Sequence, residues 1–200
     1  MIQYPSGIKP KQIAKSSTQT SNKQTQYGSR GMSLEDRINQ SNDYYNTHRL
    51  AVIHKKPTPI QVVKVDYPKR SAARITEAYY RNASTTDYNG VYQGLYIDFE
   101  AKETKNKTSF PLANLPEHQR HHMLQCIEQG GIAFLILSFA VHQEVYVIPY
   151  EKVDAFIKTE KQQSLPYDYV KAVGFQCKTG VFPLIDYLDA LDDYLQNRQS

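Results

Sequence analysis

A chain of 200 residues with 40% hydrophobic residues holds one core domain and leaves some length outside it, as a tail or an insertion. The net charge of +4 is a mild basic excess, and Cys126 and Cys177, remote from each other, read as free thiols of a reducing compartment, which excludes a disulfide framework. No run approaches the ~18 apolar residues of a membrane span and the N-terminus lacks a signal peptide's apolar core, so the expectation is a soluble, cytoplasmic protein without membrane contacts.

Residues 1–29 carry Lys9, Lys11, Lys15 and Lys23, no acid, and many Ser, Thr, Gln and Asn. Such a segment cannot bury enough apolar surface to order itself and reads as a disordered basic tail, ahead of a folded domain over 30–200. The stretch "SRGMSLEDRINQSNDYY" opens that domain as a helix, with Ser33 as N-cap, Asp36 as the capping-box acid, and Leu34, Ile38, Ser41 and Tyr45 on one face. "LAVIH" (50–54) fits a buried strand. "KKPTPIQVVKVDYPKRS" follows, strand-like at Ile60, Val62, Val63 and Val65 but punctuated by Pro57, Pro59 and Pro68, which exclude a central strand position. A projection at about 55–75 is expected. Between His54 and Arg74 the chain sets Lys55, Lys56, Lys64, Lys69, Arg70 and Arg74 against a single acid, Asp66, and segregated positive charge suits phosphate backbones.

A hairpin comes next, with strands from about Asp87 to Tyr92 and on to about Lys102 around a Gln93-Gly94 turn. "LPEHQRHHMLQCIEQGG" is a helix, with Pro116 at its start, Met123, Leu124 and Ile127 inward, and Gly130 at its stop. "IAFLILSF" (132–139) and "EVYVIPY" (144–150) are strands, the first apolar throughout and so central. "VDAFIK" is a short helix and "PLIDYLDALDDYL" a final amphipathic one. The order specifies an α/β domain on a mixed sheet.

Within the hairpin, alternation places Ile97, Phe99 and Ala101 on one side of the second strand and Asp98, Glu100 and Lys102 on the other. Asp87 can lie across the hairpin from Glu100. Two converging carboxylates make a hard-oxygen site for Mg²⁺, and a neighbouring lysine can orient water or neutralise charge growing on a phosphate. That constellation hydrolyses phosphodiesters. The spacing alone does not separate this chemistry from ordinary cross-strand acid–lysine contacts; the basic projection favours a nucleic-acid enzyme. His118 and His122 have a zinc-ligand spacing but no companion motif, and read as surface histidines. Neither GxxxxGK[ST] nor GxGxxG occurs. Sixteen tyrosines could stack on bases, but most fall in strand-like runs where tyrosine is simply favoured.

"STTDYNG", "IDFEAKETKNKTSFPL", "AVIHKKPTPIQVV", "YPKRS", "SRGMSLE" and "HQRHHM" together resemble the RecU family of Holliday junction resolvases, from Arg30 almost to the end and more loosely beyond Glu151. The resemblance implies the restriction-endonuclease-like fold of the PD-(D/E)xK nucleases, a mixed β-sheet flanked by helices with a basic stalk insertion. It also implies Mg²⁺-dependent homodimers that nick four-way DNA junctions symmetrically, with Mn²⁺ as a substitute ion. The motif is Thr86-Asp87 with Glu100-Ala101-Lys102, threonine standing where the motif has proline. By that resemblance Asp87, Glu100, Thr85 and Gln119 are metal ligands and Lys102 stabilises the transition state, with Glu35 and Asp98 as supporting acids. Arg30, Lys55, Lys56, Lys69 and Arg70 are the DNA contacts. A recombinase and a branch-migration motor are the implied protein partners. The alternative is a junction-binding protein that modulates either of them without cutting.

Overall fold

The computed structural model describes residues 31–81 and 85–199; the basic tail and Arg30 lie outside the described residues. Helix α1 (Leu34–Thr47) begins where the sequence sets its cap. The Ser33 hydroxyl accepts from the Asp36 N–H at 3.1 Å, and the Asp36 carboxylate accepts from the Ser33 N–H at 3.3 Å. Leu34, Ile38, Ser41 and Tyr45 are all buried on its inner face. Strand β1 (Ala51–Lys55) follows, then β2 (Ile60–Asp66) and β3 (Arg74–Tyr80), and then the hairpin of β4 (Tyr88–Tyr92) and β5 (Leu95–Thr104). Gln93 and Gly94 turn that hairpin with φ of 49° and 78°, the left-handed pair that matches the twist of the flanking strands.

After the short strand β6 (Ser109–Pro111), helix α2 (Glu117–Glu128) carries the chain across to β7 (Ile132–Phe139), which β8 (Glu144–Pro149) and α3 (Tyr150–Glu160) follow. The remainder is β9 (Ser164–Pro166), α4 (Tyr167–Val173), β10 (Phe175–Gln176), β11 (Lys178–Thr179), β12 (Ile185–Asp186) and α5 (Tyr187–Gln199). No helix among the described residues is long and apolar enough to cross a membrane.

The main sheet has six strands in the order β1-β4-β5-β7-β8-β10. Every neighbouring pair is antiparallel except β5 and β7, whose parallel pairing requires a crossover, supplied by α2. One face packs Ile97, Phe99, Phe134 and Ile136 against α1 and α5. The other packs Ala133, Leu135 and Leu137 against α2, α3 and α4. Covered twice, β7 is buried at every residue, as its unbroken apolar run requires. This is the α/β architecture expected, a mixed sheet flanked by helices.

Three details depart from the sequence reading. The "LAVIH" strand is an edge strand rather than a buried one: Ala51 and Ile53 are buried, whereas Val52 is 52% exposed, because β1 has a neighbour on one side only. Its close fit to β4 explains Gly90, where a Cβ would come within 2.2 Å of the Val52 carbonyl oxygen. Tyr150 opens α3 instead of closing β8, Pro149 standing just before it as the cap. Helix α4 and strands β9 to β12 are too short for any periodicity to announce them.

The proline-flanked segment forms an arm. Strands β2 and β3 pair antiparallel with each other, in a sheet of their own, and every residue of both is exposed. Seven residues of strand reach about 20 Å. The turn at its end runs from Tyr67 to Ala73 and contains Lys69 and Arg70. The arm ends at Tyr80, beyond the 75 expected from the run of basic residues, because its return strand carries few of them.

Candidate active site

The β4–β5 register sets the site. Tyr88 lies opposite Phe99 and Asn89 opposite Asp98, so Asp87, just before β4, arrives opposite Glu100. On one face the rings of Tyr88, Phe99 and Phe134 stack in succession, each pair 4.8 Å apart, and lock three adjacent strands laterally. Alternation then sends Asp98, Glu100 and Lys102 to the opposite face, alongside Ala133, Leu135 and Leu137 of the parallel neighbour and beneath α2. That face is not wet. Asp98 is 0% exposed and Glu100 1%.

Glu100 is held from two directions. Its Oε2 accepts the Asp87 N–H at 3.0 Å, and its Oε1 lies 2.8 Å from the Lys102 ammonium. Burial pushes its carboxyl up to about 7, Lys102 pulls the other way, and the charge of Asp87 adds to the rise. Gln119, in the first turn of α2, is buried, and its Oε1 has no hydrogen-bond partner among the described residues. An orphaned buried carbonyl oxygen costs about 1–3 kcal/mol, so it is a position waiting for a donor or a cation. The Thr85 hydroxyl, half-buried, donates to the Thr86 carbonyl at 3.3 Å, which leaves its lone pairs free to ligate.

The remaining expected residues are distributed around this centre. Glu35 pairs with Lys55 near the surface. Glu35 and Asp87 also line one recess of about 230 Å³, together with Glu103. Lys69 is exposed at the end of the arm, and Arg70 opens the turn there. Lys56 does not join the arm. Its ammonium turns inward to Asp98, 2.7 Å away, and to the Thr86 hydroxyl at 2.9 Å.

Asp98 is the hub of a second cluster. It accepts from Lys56, from the Tyr96 hydroxyl at 2.8 Å and from the Thr86 hydroxyl, and lies 3.3 Å from His122 Nε2. Cys126 Sγ is 3.6 Å from the same nitrogen. The surface reading of His122 therefore fails, because α2 lays its His122 and Cys126 side over the acid face of β5. One signal was available: His122 and Cys126 are one helical turn apart, on a helix that must cross that strand's face.

The model of the family described as recombination protein U, RecU, matches residues 29–193. A protein of Leuconostoc mesenteroides named Holliday junction resolvase RecU is 52% identical, over 98% of this chain and 98% of its own length. Proteins of the same name from Leuconostoc citreum and Streptococcus agalactiae are each 50% identical, over 98% of this chain and 98% and 97% of their own. Among solved structures, Hjc of Archaeoglobus fulgidus, a Holliday junction resolvase, matches 50% of this chain and 77% of its own at 12% identity and a TM-score of 0.34, too distant to transfer any residue.

Proposed function

The chain belongs to the RecU family, and from that premise we propose that it is a Holliday junction resolvase, an endonuclease of recombination and repair whose cutting centre is Asp87, Glu100 and Lys102. The observation that carries this centre is the buried Glu100 carboxylate, clamped between the Asp87 N–H and the Lys102 ammonium. A structural ion pair does not need a fully desolvated acid with a second carboxylate at its back.

The donor set fits Mg²⁺, or Mn²⁺ in its place. Asp87, Glu100, the Thr85 hydroxyl and the Gln119 amide offer hard oxygens only, and Gln119 Oε1 lacks any other partner among the described residues. Burial and Asp87 both drive Glu100 toward the neutral acid while Lys102 opposes them in part, so the site calls for further positive charge. Bound there, the ion supplies Lewis acidity toward the phosphate and lowers the pKa of its water. Lys102, held in place by Glu100, neutralises charge growing on the phosphate oxygens. Asp98 and Glu35 support the centre, Asp98 by fixing Thr86 beside Asp87 and Glu35 from the recess it shares with Asp87.

Arg30, Lys55, Lys69 and Arg70 contact phosphates in this reading, the arm carrying the last two toward the open centre of the junction. Resolution needs two cuts in strands of like polarity, so the working unit is a two-fold homodimer with one site per chain. A recombinase and a branch-migration motor are its protein partners, and the cytoplasm its compartment. The test is incubation with labelled four-way, flap and linear DNA, with and without Mg²⁺. Symmetric nicks across the branch point, only with the ion, are expected; equal cutting of linear duplex would overturn the junction assignment.

A further inference from the structure

We infer that Lys56 is a positioning residue for the cutting strands: its ammonium is the built-in cation of the Asp98–His122–Cys126 cluster and, through Thr86 and the Asp87 backbone, sets where Asp87 meets Glu100. The inference rests on the reading of Asp87 and Glu100 as the cutting pair. Lys56 grips the Thr86-Asp87 step twice. Its N–H continues the β1–β4 ladder by donating to the Asp87 carbonyl at 2.7 Å. Its ammonium reaches back to the Thr86 hydroxyl at 2.9 Å, and that hydroxyl in turn donates to Asp98. Thr86 is 2% exposed, so little else can decide its rotamer.

The ammonium also lies beside a group that could hold a metal ion. The ligand atoms of Asp98, His122 and Cys126 lie within 4.8 Å of one another, a set that zinc accepts. Lys56 Nζ adjoins two of the three, 2.7 Å from Asp98 Oδ2 and 3.5 Å from His122 Nε2. Asp98 has no exposure at all, and the Lys56 ammonium is set against its carboxylate inside the protein. Threonine in place of the motif's proline makes sense in this light. A proline has no hydroxyl to pass the restraint from lysine to carboxylate. The side chain of Lys56 is only 18% exposed, and its ammonium donates to Asp98 and to the Thr86 hydroxyl inside the protein, which is the wrong arrangement for a phosphate contact.

The experiment compares full-length wild type with Lys56→Met, reading junction affinity across a salt series and the single-turnover cutting rate at saturating protein. Lys56→Met should cut roughly 100-fold more slowly, the scale of a misplaced reacting group, while affinity and its salt slope stay at wild-type values. A salt slope reduced by about one, as when a lysine that holds a phosphate is removed, together with normal cutting at saturation, would overturn the inference. Should Lys56→Met fail to fold, the double variant Lys56→Met/Asp98→Asn removes both buried charges and must show the same split between rate and affinity. An Asp87→Asn chain run alongside keeps the two readings apart. If it cuts normally, the active-site assignment falls and the Lys56 role with it; if it is inactive while Lys56→Met cuts normally, only the Lys56 inference falls.

Discussion

The β4–β5 pair and the β2–β3 arm are both antiparallel hairpins, and they differ in everything that burial controls. The first is buried on both faces along the middle of β5, from Ile97 to Glu100, with Phe99 inside one core and Glu100 closed off from solvent on the other side. The second has every residue in solvent, including Ile60, Val62, Val65 and Ile75. In the covered hairpin a charge interacts through a poorly screening medium, so its worth depends on which atom lies within about 3 Å. Along the arm each charge is hydrated and screened within about 10 Å at ordinary salt, so what counts is how many there are. In the proposed reading one hairpin does chemistry by position and the other binds by accumulated charge.

The sharpest way to break that comparison is Glu100→Gln or Asp87→Asn. Cutting should fall by about 10³-fold or more, the scale of losing an electrostatic stabiliser in a dry site, with gel-shift affinity for the junction nearly unchanged. Nicking assays beside gel shifts on one preparation decide it, and a parallel loss of affinity would blur the two regions into one. Lys102→Ala should be milder, roughly 100-fold in maximal rate, with the Mg²⁺ requirement unmoved because lysine is not a ligand. A raised Mg²⁺ requirement at normal maximal rate would instead make the Lys102–Glu100 pair purely structural.

Acidity sharpens the same contrast. A carboxyl whose pKa is raised by folding keeps a proton that the unfolded chain has already released. The metal-free chain should thus lose stability as pH rises from the ordinary glutamate range toward about 7. The loss is on the order of 1 kcal/mol or more, and Glu100→Gln should remove it; melting curves across that range, with chelator, test it. On the arm, Lys69→Ala/Arg70→Ala should produce the smallest effect on rate and the clearest effect on salt. The slope of log affinity against log salt should flatten by about one for each phosphate no longer neutralised, with a larger drop in affinity for four-way than for linear DNA.

Much of the fold could be read locally. Ser33 and Asp36 announce a capping box, Gln93-Gly94 a tight hairpin, and the unbroken "IAFLILSF" a doubly covered strand. Alternation likewise separates Phe99 from Glu100, but the acids and lysine alone are not distinguishable from an ordinary cross-strand pair, and it is the family resemblance that gives them a metal-and-phosphate reading. Lys56 is not legible. Beside Lys55 and ahead of two prolines it reads as one more arm cation, and only the β1–β4 pairing turns it toward Asp98. His122 and Cys126 escape the sequence for the same reason, since nothing in α2 alone names the strand face it will cover.

The sequence by itself determined which side chains share a face, because backbone period is a local property of helix and strand. It determined that Glu100 and Lys102 share a face opposite Phe99, and that the proline-flanked segment could not enter the sheet. Tertiary structure alone decided what closes over each face. The parallel pairing of β5 with β7 swings α2 across the acid side, which desolvates Glu100, strands the Gln119 oxygen and brings His122 and Cys126 to Asp98. Desolvation depends on residues far away in the chain, and it is desolvation that sets this acid–lysine alternation apart from an ordinary wet strand face.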